Sequence, residues 1–307
     1  MVLAALSGGW ACKGRKAPPA PQRRLLASGA FPLLPMVVRG QDLFWAERAG
    51  VFRVDLATGR RDEIFDVHPS RFAITGDRLI WQASEGPSIS IASFGSDQST
   101  VIAEGWGALV ADEREIYLVG EVVRILTADG TEGRTLAPGT RCDPAAALDA
   151  RRVYCPSADR IVAIDRASQI VTTLAELQRY TVVLQVGVTG EHVYWTEFTE
   201  AGKSLLHRVP MRGGAPELLD DDVSGVVFVS RDATVWVHGT EMGRPSSTRM
   251  LLPGDTKPRE LPPSDEAMAG GVAAARYPGS KQLMLILGLI EGLVSVPIEP
   301  PGPAAGR

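Results

Sequence analysis

Residues 71–103 read RFAITGDRLIWQASEGPSISIASFGSDQSTVIA, and the spacing within them decides the fold. Arg71 to Thr75, Arg78 to Trp81, Ser88 to Ala92 and Ser99 to Ala103 are short runs rich in β-branched or apolar residues. Gly76-Asp77, a polar loop and Gly95-Ser96 separate them. Short runs of this composition between turn formers predict four antiparallel strands joined by tight hairpins.

The second run, with its apolar or aromatic cluster, recurs along the chain. Leu43-Phe44-Trp45, Leu79-Ile80-Trp81, Ile116-Tyr117-Leu118, Val153-Tyr154-Cys155, Val193-Tyr194-Trp195, Val235-Trp236-Val237 and Leu283-Met284-Leu285 follow one another at steps of 36, 37, 37, 40, 42 and 48 residues. A period in this range marks a repeat architecture, in which no unit can bury its apolar face alone. Other units repeat the grammar, with a third run such as Val51–Leu56, Val122–Thr127 or Ile161–Asp165 after the cluster. Turns such as Thr58-Gly59 and Asp129-Gly130 then lead to a fourth run such as Arg134–Ala137. Four strands per unit, repeated radially, describe a β-propeller blade.

The seventh unit lacks a fourth run, because Pro297 to Pro301 leads into a Pro/Gly tail. Arg23 to Ala27 has the form of the missing strand, and pairing it there would remove an exposed sheet edge. The expectation is therefore an all-β, seven-bladed propeller over residues 23–298, its last blade closed by the N-terminal strand. Six blades is the alternative. Residues 299–307 read as a disordered tail. Leu283–Leu289 is strongly apolar but too short for a membrane helix, and Glu291-Gly292 reads as a hairpin turn.

Residues 1–22 differ from the rest. MVLAALSGGWAC ends at Cys12 and is followed by the basic, Pro/Ala-rich KGRKAPPAPQ. This resembles the end of a bacterial lipoprotein signal peptide, which implies lipidation at Cys12, an extracytoplasmic address and attachment to a membrane through the lipid. A disordered N-terminus on a cytoplasmic protein is the alternative. With Cys12 used in this way, Cys142 and Cys155 are an even pair suited to a disulfide in an oxidising compartment, or else two buried thiols. Strand register would place Cys155 near Ala146 rather than Cys142.

Charge narrows the partner. All 36 acidic side chains but only 26 of the 32 basic ones fall from residue 42 onward, a formal −10. So acidic a body repels a phosphate backbone, which argues against nucleic acid.

Val193-Tyr194-Trp195-Thr196-Glu197, with Leu206 to Pro210 and Gly213-Gly214, resembles the YWTD-type propeller repeat of low-density lipoprotein receptors and related bacterial secreted proteins. Phe44-Trp45-Ala46-Glu47 is a weaker copy. The resemblance implies that the aromatic pair is structural. Trp45, Trp81, Trp195 and Trp236 are accordingly expected to pack between blades. Trp106, in the Gly105-Trp106-Gly107 link between two units, can be a stacking platform or a plug over a core edge.

No chemistry stands out. His68, His192, His207 and His238 lack ligand spacing, and there is no Gly-x-Ser-x-Gly elbow or phosphate loop. Asp220-Asp221-Asp222 could hold a cation or be a solvated turn. Long links at Glu197–Lys203, His238–Thr248 and Pro262–Ala269 should lie in one sector, where loop length builds sites. Trp106, Glu197, Glu200, His238, Glu241 and Arg244 are the candidate contact residues. The expected function is a non-catalytic binding or scaffold propeller, without cofactor, catalytic residue or metal. It would be monomeric and take a protein, peptide or glycan. The alternative is a lyase- or lactonase-type propeller enzyme acting at the channel.

Overall fold

The structure, a computed structural model, describes residues 24–28, 36–178, 181–200, 202–239, 247–261, 268–276, 282–289 and 292–298. Among the described residues twenty-eight strands form seven four-stranded antiparallel sheets. Blade 2, for example, comprises Pro69–Thr75, Arg78–Ala83, Ser88–Ser93 and Thr100–Glu104, which correspond to the four short runs within residues 71–103. The fold is a seven-bladed β-propeller.

Side-chain alternation along each second strand builds the ring. In blade 5, Trp195 packs towards blade 4 with Tyr154, Ile161 and Leu174, while its neighbour Tyr194 packs towards blade 6 with Trp236 and Leu251. In blade 1, Phe44 and Trp45 divide in the same way between blades 2 and 7. Period-2 alternation thus gives each blade two apolar faces, each completed by a different neighbour. Six buried clusters cover all seven junctions, the largest running through blades 6, 7 and 1. Trp45, Trp81, Trp195 and Trp236 are all buried there.

Arg24–Ser28 closes the ring as expected. It pairs antiparallel with Gly292–Pro297, with Arg24 opposite Ser295 and Leu25 opposite Val294. Arg24 Nη1 also donates to the Ala57 carbonyl at 2.9 Å, and Arg61 Nη1 to the Ser28 carbonyl at 3.2 Å, which ties the closing strand to blade 1. Leu283–Leu289 is the second strand of blade 7. No helix among the described residues is long and apolar enough to cross a membrane.

Cys142 and Cys155 form a disulfide, with Cα atoms 5.8 Å apart. The ladder still pairs Tyr154 with Ala147, as the register reading required. The bridge bypasses that ladder, because Cys142 sits on the link from blade 3 to blade 4 rather than on a strand.

Candidate ligand-binding face

Interblade links and second-to-third hairpins share one rim of the ring; the remaining turns share the other. On the first rim Trp106 is 62 % accessible, more than Phe198 at the second-to-third hairpin of blade 5, which is 45 % accessible. It plugs nothing. The loop beneath it is gripped from several sides. Gln82 Nε2 donates to the Gly105 carbonyl at 2.8 Å, Arg124 to that of Glu104 and Arg71 to that of Gly107. The Gly105 amide in turn donates to the Pro87 carbonyl at 2.9 Å.

Two glycines permit this packing. A Cβ on Gly107 would meet the Val119 carbonyl oxygen at 2.5 Å, and one on Gly120 would meet the Trp106 carbonyl oxygen at 2.6 Å. No real Cβ tolerates such approaches. The next hairpin carries half-exposed Val122 beside Gly120. Its Gly120 carbonyl accepts the Cys142 amide at 2.9 Å, so the disulfide-bearing link backs the hairpin that backs Trp106. Gly120→Ala is expected to lower stability by roughly 1–3 kcal/mol through backbone displacement, the usual scale for forcing volume into a packed site. Chemical denaturation would measure it.

The other candidates separate. Glu197 is buried, 3 % exposed, and accepts the Trp195 indole N–H at 3.0 Å. His207 stacks on Trp195 with ring centroids 5.3 Å apart, its Nε2 3.2 Å from Glu197 but off the line of a good hydrogen bond. Burial pushes the Glu197 carboxyl up, and the contacts from His207 and Trp195 more than offset this, leaving its pKa below the usual range. Glu197 is therefore a brace within the blade, which corrects its reading as a contact residue. Glu200 is exposed on the 199–203 turn, where the Thr199 amide meets the Lys203 carbonyl. Glu241, Arg244 and Cys12 lie outside the described residues.

His238 is half-buried and faces inward, its Nδ1 2.8 Å from Asp220 Oδ1. Asp220 is the hub here, its side chain fully buried. Oδ2 accepts the Trp236 indole N–H at 2.6 Å and Arg249 Nη1 at 2.9 Å. Asp221 is exposed in the bend between the last strand of blade 5 and the first of blade 6, so the three consecutive acids do not converge. Among the described residues no three His, Cys, Asp or Glu side chains gather as a metal site requires.

The same device recurs around the ring. Tyr117 donates to Glu115, which is bound by Arg166, and Arg166 lies over the Tyr117 ring at 5.0 Å. Tyr154 donates to Asp149 at 2.7 Å. Trp45 donates to Glu47, which is paired with Arg61. Burial and the neighbouring carboxylates push both phenols well above their usual range. Trp45, Tyr117, Tyr154, Trp195 and Trp236 thus each have a carboxylate for the polar tip, as a buried N–H or O–H demands.

At the second rim the central channel opens into a volume of ≈ 650 Å³ walled by apolar residues such as Met36, Val229 and Val272 and by the polar Gln185, Arg231 and Asp232. Gln185 spans the inner strands of blades 5 and 6 there, its Oε1 accepting the Val227 amide at 3.0 Å.

No protein-family model matches the sequence, and no curated protein matches it. Solved structures do. The chain is similar to PorZ of Porphyromonas gingivalis, described as an essential bacterial surface component of the type-IX secretion system, at 17 % identity and TM-score 0.58 over 91 % of this chain and 39 % of that one. It is similar to the GH74 xyloglucanase of Xanthomonas campestris at 13 % identity and TM-score 0.61, over 89 % and 53 %. A prolyl endopeptidase structure matches at 15 % identity and TM-score 0.53, over 83 % and 46 %. These likenesses show the propeller fold alone. The chain spans about half or less of each of these proteins.

Proposed function

We propose that the chain is a non-catalytic, extracytoplasmic binding propeller, anchored by lipid at Cys12, that takes a protein or peptide partner on its first rim. The observation that carries this reading is Trp106, held out to solvent on a loop whose carbonyls are pinned by Arg71, Gln82 and Arg124. A preorganised exposed tryptophan loses little conformational entropy on binding and is the residue type most enriched at energetic centres of interfaces. Glu197 and His238 are engaged in bracing the blades. The YWTD-like Tyr194-Trp195 pair, used as mortar between blades, is consistent with that repeat. The Cys142–Cys155 bridge supports the address.

Crosslinking and capture from native membranes, comparing the natural chain with Trp106→Ala, tests the rim. Recovery of the same specific partner is expected to fall at least about tenfold in the variant, the scale of a central interface tryptophan, with stability unchanged. Equal recovery would remove Trp106 from the site. Radiolabelled fatty acid should enter the natural chain and not Cys12→Ala.

A second reading, an enzyme of lyase or lactonase type acting at the channel, is favoured by the enzymes among the similar structures. Turnover of lactones or cyclic depsipeptides by the purified protein would support it.

A further inference from the structure

On the second rim, blades 5 and 6 part to leave a cleft of ≈ 430 Å³, the size of a small-molecule site. Its blade 5 wall presents His192, Tyr194 and Arg208; its blade 6 wall presents Thr234 and Leu251. All five point between the blades by strand register. Tyr194 is opposite Arg208 on adjacent strands of blade 5, and Thr234 is opposite Leu251 on adjacent strands of blade 6.

Two features set this cleft apart from an ordinary gap between blades. The first is Thr234, 1 % exposed, whose hydroxyl has no hydrogen-bond partner among the described residues. Buried hydroxyls are nearly always paired, and the polar tips of the neighbouring aromatics in this ring are. The second is that the charges of the walls are already balanced. Arg208 Nε donates to Glu217 at 2.7 Å, and its guanidinium meets the Tyr194 hydroxyl and, at a long 3.4 Å, the Asp255 carbonyl oxygen. Asp255 is itself bound by Arg259 at 2.8 Å. Arg231 and Glu191 stand exposed at the mouth, one of each sign. Burial, and then the charge of Arg208, lower the His192 pKa, so its imidazole is neutral at pH 7 and offers one donor and one acceptor.

We propose that this cleft binds a small neutral polyhydroxylated ligand of the monosaccharide class. A hydroxyl both donates and accepts, and the Thr234 and Tyr194 hydroxyls and the His192 imidazole can each answer it in either sense. The balanced charges give a carboxylate no net attraction, and Leu251, Leu252 and Pro253 supply an apolar wall for the carbon face of a sugar ring. The site is independent of Trp106, which lies on the other rim.

Calorimetric titration of the full chain with D-glucose, D-galactose and myo-inositol, and with D-gluconate as the charged control, tests it. At least one neutral compound should bind saturably, and at least about tenfold more tightly than gluconate. Thr234→Val should keep or raise the thermal midpoint, since it removes an unpaired hydroxyl without changing shape, and should weaken binding about tenfold. His192→Phe, which keeps the edge contact with Tyr194, should weaken it too and serves if Thr234→Val does not fold. Absence of binding by every neutral compound would overturn the proposal. So would gluconate binding as tightly as they do, or binding untouched by the variants.

Discussion

Asp220→Ala is expected to lower the unfolding free energy by roughly 3–5 kcal/mol, the usual loss when one member of a buried ionic network is removed. Asp220 has no exposed side-chain surface and is met by four donors: Trp236 Nε1, Arg249 Nη1, His238 Nδ1 and the Asp222 amide. Removing the carboxylate leaves a buried indole N–H unpaired and an arginine at the junction of blades 5 and 6 without its acid. Asp220→Asn should cost less, because the amide oxygen can still accept from Trp236. The pH dependence has a definite sign. Burial raises the Asp220 carboxyl, but the Trp236 and Asp222 N–H bonds, His238 and the Arg249 charge outweigh it, so the folded pKa lies below the ordinary aspartate value. A depressed folded pKa contributes stability that is complete above the unfolded pKa, near 4, and is lost as pH falls through the folded one. Urea unfolding from pH 7 down to pH 2 should therefore show a constant gap between natural chain and Asp220→Ala above about pH 5, narrowing below pH 4. A gap that stays constant to pH 2 would mean that the carboxylate is not preferentially ionised in the folded state.

The ring was legible because its signals are local. Phe44-Trp45 and Tyr194-Trp195 are adjacent in sequence and alternate across a strand, so the period-2 rule sends them to opposite junctions without knowledge of the neighbour. The closing strand was legible for a similar reason: Arg23 to Ala27 repeats the form of Arg134 to Ala137. The contacts that shape the rims were not. Arg71 reaches Gly107 across 36 residues, Arg78 reaches Ala128 across 50 and Arg152 reaches Met211 across 59. In sequence such an arginine in a strand reads as a solvated charge, because its acceptor is a backbone carbonyl that any residue would supply. Glu197 failed as a contact residue for the complementary reason. It lies next to a long loop but belongs to the last buried turn of the strand, where Trp195 two residues earlier needs an acceptor on the same side. An acid two residues after a strand tryptophan also occurs at Glu47 in blade 1, and that recurrence was the available sign of a brace.

Reduction of Cys142–Cys155, or Cys142→Ala with Cys155→Ala, is the other change expected to have a large effect. The bridged residues are 13 apart in sequence, and a loop of that order is worth about 3 kcal/mol through restriction of the unfolded chain. Both cysteines are buried against Tyr117, Val153 and Ile164, so alanine also removes packing volume, whereas reduction does not. Comparing the two treatments by urea unfolding separates the crosslink from the packing. The consequence extends beyond stability. The Cys142 amide holds the Gly120 carbonyl, and Gly120 lies hard against the Trp106 carbonyl oxygen, so freeing the link loosens the support of the exposed ring. Amide hydrogen exchange at Gly120 to Val122 and at Glu104 to Gly107 should accelerate on reduction, while exchange in blade 1 stays unchanged. Local opening of this kind reports on the free energy of the segment concerned and not on the whole domain. Uniform acceleration across all seven blades would show that the bridge supports the ring as a whole, and no acceleration that the Trp106 loop stands on Arg71, Gln82 and Arg124 alone.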